Sequence, residues 1–125
     1  MNHEEFDRVV EEQCDMSVNV LGNKAREYST SDDRFHNFNV AARVQGITPE
    51  KALVGMMMKH WVSTMDMIEQ DFSQLSMEAI HEKFGDLINY ILLLKGMTID
   101  RKNMAQTVKP SSGVVEWTTQ ESKPE

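Results

Sequence analysis

Glu82, Asp86 and Asn89 stand at i, i+4 and i+7 within His81 to Lys95, a spacing that puts all three on one stripe of a helix. Lys59, Ser63 and Asp66 repeat those offsets in the segment from Pro49 to about Gln70. Carboxylates one turn apart can share a hard cation such as Mg²⁺, which prefers oxygen ligands and keeps waters and substrate phosphates in its shell. Such an ion draws phosphate oxygens and activates water. Lys59, Arg34 and Lys24 are candidates to meet the phosphate charge, Arg34 through a bidentate fork. Asn37, Asn89 and Ser63 are candidates to bond a base or a sugar. The alternative is that both stripes are solvated faces, because any amphipathic helix needs a polar side.

Other chemistries lack their residues. There is no glycine-rich phosphate loop, no G-x-S-x-G elbow and no H-E-x-x-H, so the sites built on those motifs have no support. His3, His36, His60 and His81 are not spaced as a metal pair on one helix, which makes each a structural or exposed side chain. One cysteine, Cys14, excludes an intramolecular disulfide and a cysteine-based zinc cluster. Its place on an apolar helical line predicts burial. The ten methionines are spread over helix faces and read as packing rather than soft-metal ligands.

The elements that must position these groups are all helical. Phe6, Val9, Val10, Cys14, Val18, Leu21, Ala25 and Tyr28 recur at helical spacing from about His3 to Tyr28, with Gly22-Asn23 as a weak point. The acids of its first half suit the positive end of the helix dipole and a solvated face. Ser29 to Asn37 is a cluster of loop formers. A short helix from Phe38 to Gln45 is closed by Gly46, and Thr48-Pro49-Glu50 starts the next with a cap and a first-turn proline. That third helix carries apolar residues over most of its surface, as helices central to a bundle or buried in an oligomer do, so its Lys59, Ser63 and Asp66 are expected in an enclosed cleft or interface. Ser76 caps the last helix, which is expected to end near Thr98. The expected architecture is an all-α antiparallel bundle of three long helices and one short one over 1–100, followed by a mobile tail over 101–125. Within that tail Gly113 to Thr118 could dock on a neighbour as a short strand.

A chain of 125 residues with 40% hydrophobic content suits one domain. Its formal charge of −7 and pI near 5.1 argue against non-specific nucleic-acid binding, which needs a basic surface. No apolar run approaches the roughly 20 residues that span a bilayer, and the acidic start lacks a signal-peptide pattern. A soluble, cytoplasmic protein is expected.

The combination K-x-x-E-Y (Lys24 to Tyr28), D-R-F-H-N-F (Asp33 to Phe38), T-P-E followed by M-M-x-K-H (Thr48 to His60), and E-K-x-G-D-x-x-N-Y (Glu82 to Tyr90) resembles small phage-encoded proteins grouped as nucleotide-modification-associated domains. The closing helix is similar to the E-x-x-D helix of MazG-like, all-α nucleoside triphosphate pyrophosphohydrolases. The resemblance covers roughly Val18 to Met97. It implies a helical, homo-oligomeric protein of the host cytoplasm that converts a nucleoside triphosphate to monophosphate and pyrophosphate with Mg²⁺. On that reading Glu82 and Asp86 hold the metal, Asp66 or Glu27 completes its shell, and Lys59 and Arg34 take the phosphates. This chain departs from the pattern at Lys83, which occupies the first acidic position of E-x-x-D, and in an earlier helix that offers Lys59 and Asp66 where the group has E-E-x-x-E. The departures leave a second expectation open, a non-catalytic accessory protein that sequesters a nucleotide or binds a host protein.

Overall fold

A capping box starts the chain. Glu5 N donates to Asn2 Oδ1 at 2.8 Å, and Asn2 N donates to Glu5 Oε2 at 2.7 Å, which satisfies two amide groups that the first turn leaves without partners. The computed structural model describes residues 1–28 and 32–107. Its order is α1 (His3–Val18), a π-helical stretch (Asn19–Lys24), α2 (Ala25–Tyr28), α3 (His36–Gln45), α4 (Pro49–Ile68), a 3₁₀ turn (Phe72–Gln74) and α5 (Met77–Thr107). No strand occurs among the described residues. The fold is all-α, and no helix in the described part is long and apolar enough to cross a membrane.

α1, the π-helical stretch and α2 follow one another without a break. The weak point at Gly22-Asn23 falls inside the π-helical stretch, where the wider hydrogen-bonding pattern takes up the irregularity. Asp33 organises the start of α3, its Oδ1 accepting from Phe35 N at 2.9 Å and its Oδ2 from Asn39 Nδ2 at 2.8 Å. α3 thus begins two residues before the expected Phe38. Gly46 ends it at φ 70°, a left-handed backbone that costs glycine little. Thr48 Oγ1 then accepts from Lys51 N at 3.3 Å, and Ser76 Oγ accepts from Ala79 N at 3.0 Å at the head of α5.

α5 continues through Arg101 to Thr107, past the boundary expected near residue 100. Arg101 Nε lies 3.2 Å from Glu50 Oε2, a buried oxygen with no well-aligned hydrogen bond, so the added turns are tied to α4. The rest of the expected tail, 108–125 with its Gly113 to Thr118 segment, lies outside the described residues, as do positions 29–31 of the first loop.

α4 and α5 are antiparallel, since Glu50 meets Arg101 while His60 meets Asp86. The core lies at one end of this pair, where Phe38, Leu53 and Met97 are buried against Phe35, Met56, Tyr90, Leu93 and Leu94. Further along, Thr64 is fully buried, its hydroxyl 2.7 Å from the His60 carbonyl and 3.3 Å from the Lys83 carbonyl across the interface. α1 runs parallel to α5, because Glu12, Gln13 and Ser17 meet His81, Gly85 and Asn89 in the same order.

Two expectations are corrected here. Cys14 is exposed, since α5 covers only one flank of α1. Nor is α4 central within one chain: α3 and α5 cover one side, and Val54, Met58, Trp61, Val62 and Ile68 remain exposed on the other, which leaves burial in an oligomer as the remaining form of that expectation. The small core concentrates stability in a few side chains. Leu53→Ala is expected to cost about 2–5 kcal/mol, whereas Val44→Ala, at a site 82% exposed, should stay within about 0.5 kcal/mol of the parent, both read from urea midpoints.

Candidate functional site: the polar face of α4 and α5

His60, Thr64 and Met67 mark the line along which α4 meets α5, and the Lys83 carbonyl, Asp86 and Tyr90 mark it on α5. Lys59, Ser63 and Asp66 each precede a contact residue of α4 by one position, about 100° to one side. Glu82 and Asn89 precede the contact positions of α5 in the same way. Two antiparallel helices in contact are related by a two-fold axis perpendicular to their common plane. Residues offset alike from the contact line therefore share a face, and both polar stripes lie on one side of the pair. α1 borders the same side through Gln13 and Ser17.

The side chains are held unequally. Lys59, Asp66 and Glu82 are exposed, while Ser63, Asp86 and Asn89 are partly buried. Asp86 Oδ2 lies 3.4 Å from His60 Nδ1, and the His60 ring lies 4.8 Å from that of Tyr90 at a 31° tilt. Burial, and after it the Asp86 charge, raises the Tyr90 hydroxyl above its ordinary 10.0. Asn89 Oδ1 accepts from Ser17 Oγ at 2.7 Å, and Gln13 Nε2 donates to that hydroxyl at 2.9 Å. Asn89, a candidate for base or sugar, thus has a structural partner on α1.

The remaining candidates stand elsewhere. Lys24 and Glu27 are exposed on the π-helical stretch and α2, seven and ten residues beyond the Ser17 contact, or roughly 10–15 Å along the helix. Arg34 lines a pocket of about 420 Å³ with Asp32, Phe35, Gly96 and Asp100. Gly96 is ten residues, roughly 15 Å, along α5 from Asp86, so Arg34 and Lys59 occupy different parts of the surface. Asn37 is exposed in the first turn of α3.

Among the described residues no three His, Cys, Asp or Glu side chains gather to hold a metal ion. The four-carboxylate set of Glu27, Asp66, Glu82 and Asp86 is not assembled within one chain. What one chain offers is the pair Glu82 and Asp86, one turn apart on α5, and Mg²⁺ is commonly bound through one or two carboxylates with water and substrate phosphates completing its shell. One chain brings at most this pair to one stripe, and the larger set is not gathered.

Sequence reasoning passed over His60 because it sought histidine pairs along one helix. The available signal was the matched i, i+4 spacing of His60 and Thr64 on α4 and of Asp86 and Tyr90 on α5. Compared with known proteins, the chain matches no family model, no curated relative and no solved structure.

Tyr90 has its pKa raised on folding, so its contribution to stability is intact below about pH 10 and declines as the pH rises through the higher folded value. In an absorbance titration one tyrosine should ionise above the ordinary range, and Asp86→Asn should lower its midpoint only in part, since burial is the larger cause. A double-mutant cycle on Ser17→Ala and Asn89→Ala should give a coupling of about 0.5–3 kcal/mol.

Proposed function

We propose that this chain binds a nucleotide, with its Mg²⁺, on the polar face of α4 and α5, as part of a homo-oligomer. The observation that carries the reading is the placement of two chemically matched stripes, Lys59-Ser63-Asp66 and Glu82-Asp86-Asn89, on the same side of one antiparallel pair. The resemblance to nucleotide-handling phage proteins supports the same ligand class. On this reading Glu82 and Asp86 supply oxygens to the cation, which the nucleotide brings on its phosphates. Lys59 faces the phosphate charge, and Ser63 offers a hydroxyl to the sugar or base. The cation is needed electrostatically, since a phosphate alone would meet Asp66, Glu82 and Asp86 as like charges.

Hydrolysis to monophosphate and pyrophosphate is the second reading, favoured by the one-turn spacing of Glu82 and Asp86 on α5. It requires more than one chain presents, because Asp66 and Glu27 are not grouped with that pair. Calorimetry with a panel of nucleoside triphosphates tests the binding. Saturable binding that needs Mg²⁺ is expected, weakened about tenfold, or ~1.4 kcal/mol, by Lys59→Ala and more by Asp86→Asn. Absence of binding across the panel, in chain that remains folded, refutes the proposal. Pyrophosphate release by the same samples decides the second reading: bound nucleotide recovered intact assigns a sequestering protein, and product assigns a hydrolase.

A further inference from the structure

The side of the α4–α5 pair opposite the polar face is apolar. Val54, Met58, Trp61, Met65 and Ile68 recur on α4 at spacings of four and three, the period of a helix that packs along another helix. All but Met65, which is partly covered, are exposed, Trp61 at 47%. On α5 the exposed Met77, Phe84 and Ile91 follow the contact line by the same sense of rotation and so share that side. Further round α5, Ile88 and Leu92 line a groove of about 420 Å³ with Gln13, Cys14, Ser17 and Val18 of the first helix, at the outer edge where this face meets the side that α1 borders.

At these exposures the face amounts to on the order of 1,000 Å² of apolar side chain. That exceeds the roughly 300–600 Å² of the largest patch on a typical monomer and is comparable with the about 800 Å² that each partner gives to a standard interface. Its rim carries charge of a particular pattern. Lys51 and Glu69 are both exposed, flank the same edge of the α4 stripe, and lie eighteen residues apart, five full turns. A second copy of α4 laid antiparallel sets each Lys51 beside the other copy's Glu69, twice in one two-fold interface. Parallel pairing would put the two copies of this edge on opposite sides of the seam and form neither pair. The charge of −7 on each chain does not forbid the contact, because repulsion beyond about 10 Å is screened at 0.1 M salt.

The geometry points to a two-fold homodimer in which the apolar faces of two copies meet, α4 against α4 antiparallel near Trp61. This makes specific the assembly included in the proposed function and uses the face opposite the nucleotide, so either can fail alone. Sedimentation of the full chain should give twice 14.4 kDa at micromolar concentration. Trp61→Glu, at a position exposed in the single chain, should give a folded monomer by circular dichroism. It should also speed reaction of the Cys14 thiol with a disulfide reagent severalfold. Lys51→Glu or Glu69→Lys alone should weaken the dimer about tenfold, and the two together should restore it. Failure of that rescue overturns the antiparallel arrangement. A monomer at every concentration, or a dimer indifferent to Trp61→Glu, overturns the interface and leaves the face to a different protein partner.

Discussion

The Thr64 hydroxyl sets how α4 and α5 meet. It is fully buried, satisfied by the His60 carbonyl of its own helix, and brought to 3.3 Å from the Lys83 carbonyl of the other. A longer side chain would hold the helices apart, and the hydroxyl, whose proton goes to the His60 carbonyl of its own turn at 2.7 Å, lets the α5 backbone come close without stranding a polar group. The contact therefore fixes the rotation of both helices about their axes. Once that is fixed, one pair of stripes faces one side and the complementary pair faces the other. The division into a polar and an apolar face is a consequence of helix phase rather than of any loop.

Much of this framework was legible in the residues. Thr48-Pro49, Gly46 and Ser76 act locally, and each cap or stop stands where its chemistry requires. The three long helices follow from apolar spacing for the same reason. Coverage was not legible, because a stripe such as Val54-Met58-Trp61 has the same pattern whether its own chain or another covers it. Cys14 was expected inside and is outside because, among the described residues, α5 covers one flank of α1 and leaves the thiol's side open. Arg34 was grouped with Lys59 by residue type, and the loop places it near Gly96 rather than near Asp86. The end of α5 was misjudged because its last turns are held by an ion pair from Arg101 to Glu50, fifty-one residues earlier in the chain, a contact with no local periodicity.

The polar face also has an internal order. Asp86 stands one turn from the exposed Glu82, and its carboxylate lies 3.4 Å from the partly buried His60 across the helix pair. Its field reaches Tyr90, behind His60. A cation arriving at Glu82 and Asp86 would compete with His60 for the same oxygens, and both outcomes remain compatible with the α4–α5 contact because Thr64 holds it independently.

The attachment of α1 has a dynamic consequence. Its hold on α5 consists of one buried serine with Gln13 and Asn89, a loose pairing of Glu12 with His81 at 4.0 Å, and a shallow apolar groove. Proteins open first where few apolar contacts are buried. α1 is accordingly the segment whose amides exchange with solvent at lowest free energy, ahead of α4 and the middle of α5. The edge of the polar face that α1 forms through Gln13 and Ser17 can therefore loosen without global unfolding.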